Sequence, residues 1–262
     1  MITRIARLES RALVRVSGSD ARPFLHNLLT QDVETLAEGD LRFGALLSPP
    51  GRLLFDLFLW GEADGVLLDI AADRRDALLQ RLSMYRLRAQ VVIGADDRPV
   101  FACWPDILDG FTVDPRLPAL GGRRCGGEIE TNAAEADYQS HRLSAGVPDP
   151  AGDAPADKTY PIEADFDLLN GIDFQKGCFV GQETTSRMKR RGAIKNRMLP
   201  LAFDGPPPPF GAEVLNGELR AGEVLSGGEG TAMALLRLDR LEGALTVNGR
   251  PVEVRRPGWM RP

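Results

Sequence analysis

The sequence predicts an α+β fold followed by a small all-β domain, and three observations lead there. Strand-like apolar runs and amphipathic helical stretches mix without strict alternation, which disfavours a doubly wound parallel sheet. The chain has 262 residues, 43% of them hydrophobic and 26% charged, which suffices for more than one core. A proline run, Gly205-Pro206-Pro207-Pro208-Pro209, precedes short β-prone stretches that carry Asn216-Gly217 and Asn248-Gly249. Asn-Gly marks hairpins because both residues tolerate the positive φ of a type I′ turn. Residues 1–199 are read as the α+β region and 200–262 as the β domain.

Each element has its own signal. Ala12 to Ser17 reads as a strand, and Ser17-Gly18-Ser19-Asp20 supplies turn and cap residues. Pro23 then falls early in a helix, where its missing N–H is harmless, and Phe24, Leu25, Leu28 and Leu29 follow at helical spacing. Leu41–Leu47 and Leu53–Trp60 flank the turn Ser48-Pro49-Pro50-Gly51 as a hairpin. Val66–Ala71 is a further strand, and residues 73–88 form a helix buried through Leu78, Leu79 and Leu82. Another strand begins at Val91, and residues 146–161, rich in Pro, Ala, Gly and Asp, read as a long loop.

Composition narrows the function classes. A formal net charge of −5 argues against nucleic-acid binding through bulk charge. The first ten residues carry charges every few positions and no apolar h-region, unlike a secretory signal. No window approaches the roughly 18 apolar residues of a membrane helix. A soluble, cytoplasmic monomer is expected, without membrane or direct nucleic-acid partners. The three cysteines, Cys103, Cys125 and Cys178, are odd in number and irregularly spaced, which is no disulfide framework. With only His26 and His141 beside them, no permanent zinc site or four-thiolate cluster is expected, and no metal ligand is assigned.

Residues 160–197 hold the densest chemistry. In Lys176-Gly177-Cys178 a thiol lies beside a cation, which favours the thiolate. If Gln182–Arg187 is helical, the positive end of that helix acts in the same direction. By chemistry alone Cys178 reads either as a small buried filler or as an activated thiol. Residues 187–197 contain six cations, from Arg187 to Arg197, which read either as a solvated face or as an anion site.

Lys176-Gly177-Cys178-Phe179-Val180-Gly181-Gln182-Glu183 resembles the signature of the YgfZ-type folate-binding family, whose mitochondrial relatives assist iron–sulfur cluster assembly. Tyr160-Pro161 with Glu163, Leu169-Asn170-Gly171-Ile172, Arg187-Met188 and Arg191-Gly192 resemble it too, as do Ala21–Leu25, Asp32-Val33, Pro50-Gly51-Arg52 with Phe55-Asp56, and Met84–Ala89. That family is related in fold to the glycine cleavage T-protein, an aminomethyltransferase. The resemblance implies a three-lobed, aminomethyltransferase-like, folate-binding fold, with two interwoven α+β lobes and a C-terminal β-barrel around a central channel. It implies tetrahydrofolate as cofactor, and folate and iron–sulfur client or assembly proteins as partners, tRNA-modifying enzymes among the clients.

On that resemblance the chain is a folate-dependent, transferase-like protein acting mainly as an iron–sulfur maturation factor; the alternative is a tetrahydrofolate-dependent aminomethyltransferase. Cys178 and Lys176 are the candidate chemical residues, with Lys176 tuning the thiol. Asp76, Arg142, Ser144, Gln182, Glu183 and Arg187 are the candidate folate contacts. Four positions bear on the alternative. The T-protein has Asp where this chain has Cys178, and Arg where it has Gln182. It grips the amino-pyrimidine edge with a glutamate where this chain has Ser144, and a hydroxyl offers no two-pronged acceptor. Asp76 matches its catalytic aspartate, and also reads as an ordinary acid on the polar face of its helix.

Overall fold

A computed structural model describes residues 2–192 and 194–260. In chain order the elements are β1 (Arg4–Arg7), β2 (Arg11–Ser17), α1 (Ala21–Leu28), β3 (Leu41–Leu47), β4 (Leu53–Glu62), β5 (Gly65–Ala71), α2 (Arg75–Arg86) and β6 (Val92–Asp96). Then follow β7 (Val100–Trp104), β8 (Thr112–Val113), β9 (Gly122–Cys125), α3 (Glu135–Ser144), α4 (Pro150–Asp153) and α5 (Gln182–Arg191). The last six strands are β10 (Asn196–Ala202), β11 (Glu213–Asn216), β12 (Leu219–Gly228), β13 (Thr231–Arg237), β14 (Leu245–Val247) and β15 (Arg250–Val254).

The strands form two open antiparallel sheets and a barrel. The first sheet has the order β3-β4-β5-β2-β6 and the second β1-β7-β9-β8. The lobes interweave because β1 pairs with β7, with Arg4 opposite Trp104, and not with its chain neighbour β2. Strand periodicity explains the layering. On β4, Phe55, Leu57 and Leu59 face one side, where they pack with Leu25, Leu29, Leu78 and Leu82 of the α1 and α2 layer. The alternate residues, Phe58 and Trp60, face the other side. Both faces are covered, so β4 and β5 read as continuous apolar runs.

The barrel closes in the order β10-β13-β12-β11-β14-β15, with β10 pairing β15. Asn248 and Gly249, at φ 50° and 75°, form the two-residue turn between Val247 and Arg250, as their pairing predicts. Asn216 differs. It belongs to β11 opposite Leu219, and its side-chain amide donates to the carbonyls of Arg240 and Glu242. The proline run is the loop between β10 and β11, inside the barrel.

A central cluster ties the parts together. Phe166 is fully buried, 4.7 Å between ring centroids from Phe43 of β3, and shares one core with Leu143 of α3 and Met198 and Met233 of the barrel. Phe166→Ala is expected to cost about 3–5 kcal/mol. The check is the urea midpoint, and an unchanged midpoint would show that the cluster collapses to fill the space.

Candidate functional site

The signature segment is anchored to the start of the chain. The hydroxyl of Thr30 donates to the carbonyl of Gly171 (2.7 Å), and the amide of Gln31 donates to that of Asn170 (2.6 Å). The N–H of Asp173 donates to the carbonyl of Thr30 (2.9 Å), and the Asp173 carboxylate accepts the N–H groups of Gln175 and Lys176. Phe179 is buried in the central cluster. Gly181, at φ 82°, precedes α5, and a Cβ on it would lie 2.7 Å from the Cα of Gly51. Only glycine on both strands of this contact lets the Pro50–Arg52 turn touch the start of the helix. Glu183 in the first turn and Lys189, Arg190 and Arg191 in the last complement the helix dipole.

Cys178 is exposed on this loop, three residues before Gly181. The other thiols differ: Cys103 is buried and Cys125 half-buried, and burial pushes both thiols above their usual pKa. Lys176 does not take the position expected of it. Its side chain sinks inward, and its amine donates to the carbonyls of His26 and Leu29 (2.7 Å for the latter) at the C-terminal end of α1. A cation there satisfies otherwise orphaned carbonyls. Burial lowers the Lys176 pKa to about 8. The lysine thus fixes the loop that carries the thiol. His26, which the sequence left unassigned, stands beside it: Nδ1 lies 3.0 Å from Asp32, and Nε2 would be 3.9 Å from a Cβ on Gly177. A His–Asp pair six residues apart across a helix end carries little signal in a sequence.

The remaining candidates scatter. Gln182 donates to the carbonyl of Gly177 (3.3 Å), closing the loop, while Glu183 and Arg187 project from α5 into solvent. Asp76 is exposed in the first turn of α2, a helix packed on the outer face of the first sheet. Ser144 is exposed, and its hydroxyl donates to the carbonyl of His141 in its own helix (2.7 Å). Arg142 is buried: it donates to the carbonyl of Val147 (2.5 Å) and to the Gln139 side chain (2.8 Å), and lies 3.8 Å from Asp153.

Arg142 marks a second region. A pocket of about 450 Å³ lies between α3 and β12, lined by Gln139, Arg142, Leu143, Asp149, Ser226 and Gly227. Gln139, Arg142 and Asp149 also wall an inner nook of about 20 Å³, together with Arg11, Phe58, Arg116, Arg123 and Tyr138. The nook has room for about one water molecule. Its wall is a buried charge network. Asp69 of β5 accepts from Arg11 of β2 (2.6 Å) and from Arg123 of β9 (2.6 Å); Asp114 pairs with Arg116 (2.8 Å). Burial alone would raise the Asp69 and Asp114 carboxyls, yet the adjacent guanidinium groups hold both below the usual range. Arg123 lies 3.8 Å from the centroid of Phe58.

Another clamp holds α5 to the barrel. Arg197, expected within an exposed cationic run, is instead buried, 2.9 Å from Asp165 and 2.7 Å from Asp167, and Asp167 also accepts from Lys189 (3.1 Å). The second Asp165 oxygen is buried without a partner. Among the described residues no group of three His, Cys, Asp or Glu side chains is placed to hold a metal ion, and no helix is long and apolar enough to cross a membrane.

The architecture is that of an aminomethyltransferase-like protein. The glycine cleavage system aminomethyltransferase T of Bartonella henselae superimposes with a TM-score of 0.80, at 18% identity, over 98% of this chain and 86% of that one. Residues 195–262 match the family model described as CAF17, C-terminal beta-barrel domain. The mouse and human mitochondrial iron–sulfur cluster assembly factors IBA57 are each 30% identical, over 92% of this chain and 79% of theirs. This chain belongs to the IBA57 family of iron–sulfur cluster assembly factors. The homologue from Mycosarcoma maydis is 32% identical over 79% of this chain. The chain spans 59% of that relative and 55% of the one from Phaeosphaeria nodorum. All of these relatives are mitochondrial, which overturns the cytoplasmic expectation. Its basis was the lack of a secretory h-region, and that distinguishes secreted proteins only.

Burial raises the Asp165 pKa to about 8. Unfolded, the same group titrates near about 3.9. Between these values the folded chain holds one more proton, so this group makes stability fall as pH rises through the window and level off above it. Asp165→Asn is expected to remove that component, measured as urea midpoints from pH 4 to 9. Parallel pH profiles for the two proteins would refute the assignment.

Proposed function

We propose that this protein is a tetrahydrofolate-binding factor for assembly or repair of iron–sulfur clusters in client enzymes, tRNA-modifying ones among them, and that Cys178 is its iron-facing thiolate. The observation that carries the reading is the exposure of Cys178 on a loop fixed from both sides, while the other two thiols are withdrawn. Iron–sulfur clusters take several thiolate ligands. One exposed sulfur, with no metal-holding group among the described residues, fits a cluster whose other ligands come from a client or assembly protein. The cluster is then cargo, held transiently between two chains.

The volume of the pocket, and not that of the nook, supports a folate site. A volume of about 450 Å³ falls within the usual range for small-molecule sites, and Arg142 lies on its wall. Bound there, with Arg142 and Asp149 on the wall, tetrahydrofolate would supply a one-carbon carrier and an easily oxidised reduced pterin. Aminomethyl transfer is disfavoured, because Asp76 faces solvent on the outer helix layer and Ser144 is bonded within α3.

The test is rescue of a cluster-dependent enzyme in cells lacking the protein. Cys178→Ser, which leaves the loop contacts intact, is expected to reduce rescue to the level of the empty control. Full rescue would remove the thiol from the mechanism. Robust formation of methylene-tetrahydrofolate from a lipoyl-bound aminomethyl group would instead favour the transferase.

A further inference from the structure

We propose that Asp149 is the carboxylate that reads the amino-pyrimidine edge of the pterin, with Gln139 as a neighbouring donor; this rests on the folate reading above. The T-protein-like carboxylate position is Ser144, and its hydroxyl is turned back on α3. Asp149 follows five residues later, half-buried, on the wall common to the pocket and the nook.

Its chemical state sets it apart. The neighbouring acids are engaged: Asp56 and Asp69 by Arg11, Asp114 by Arg116, Asp153 by the N–H of Ser226, and Glu135 by Ser10. The Asp149 carboxylate accepts no hydrogen bond and forms no ion pair among the described residues, so both oxygens are available to a ligand. Its backbone is fixed at the same time. The N–H of Asp149 donates to the Asp153 carboxylate (2.7 Å), whose other oxygen accepts from Ser226 of β12 (2.9 Å). The backbone that carries the side chain is therefore held by groups that a change at its tip does not disturb.

One further group completes the pattern. Gln139 gives its oxygen to Arg142 (2.8 Å), and its amide N–H groups have no acceptor among the described residues. A wall offering a two-pronged acceptor beside unpaired donors complements a 2-amino-4-oxopyrimidine, which presents adjacent N–H donors and a carbonyl.

The test is calorimetric titration of the full chain with tetrahydrofolate and with its 2-methyl analogue, which lacks the 2-amino donor. Wild type is expected to prefer tetrahydrofolate. Asp149→Asn is expected to weaken it by about 10- to 150-fold and to abolish the preference, as loss of a charged hydrogen-bond acceptor implies. Gln139→Met, with its donor removed, is expected to weaken binding by about 2- to 12-fold with the preference retained. An Asp149→Asn protein that keeps the wild-type preference overturns the assignment and leaves folate binding intact. A wild type that binds neither compound overturns the folate reading, and this one with it.

Discussion

The two open sheets are held against each other by one carboxylate. Asp69 is fully buried and accepts from Arg11 on its own sheet and from Arg123 on the other. Bringing such charges out of water is costly, and removing one partner strands the rest, a loss of about 3–5 kcal/mol. Three guanidinium groups, from Arg11, Arg116 and Arg123, stand within 5.4 Å of the Phe58 ring centroid. An apolar pair of sheets could slide by one residue; a buried network with directional bonds cannot do so without breaking them. That fixed geometry is the floor on which the inner nook and the pocket beside α3 are built.

The same logic serves the thiol loop. Its approach to solvent is set by contacts on the buried side: the Lys176 amine at the end of α1, the Asp173 carboxylate beneath the loop, and Phe179 in the central cluster. Cys178 is exposed because everything around it is tied down, not because the loop is loose.

Much of this was legible in the amino-acid order, and the failures have physical causes. β4 and β5 were legible because both of their faces are buried and their interior runs are apolar but for Asp56 and Asp69. The second sheet was not read. β8 has two residues, and β9 reads Gly-Arg-Arg-Cys, where Arg123 fills a core position that periodicity assigns to apolar side chains. α3 was missed for a like reason, since Arg142 takes an inward slot beside Tyr138 and Leu143. The signature around Cys178 was legible as a motif, yet the direction of Lys176 was not, because adjacency in sequence does not say which way a long side chain points. Asp149 was lost in a stretch read as loop from its prolines, although that stretch contains the short helix α4.

The placement of β1 has a consequence for how the protein is made. Arg4–Arg7 precede their partners on β7 by all five strands of the first sheet. Until the two pair, the leading segment is an unsatisfied edge, open to wrong pairings. The second sheet closes only when both ends of a long excursion meet, the kind of non-local pairing that slows folding.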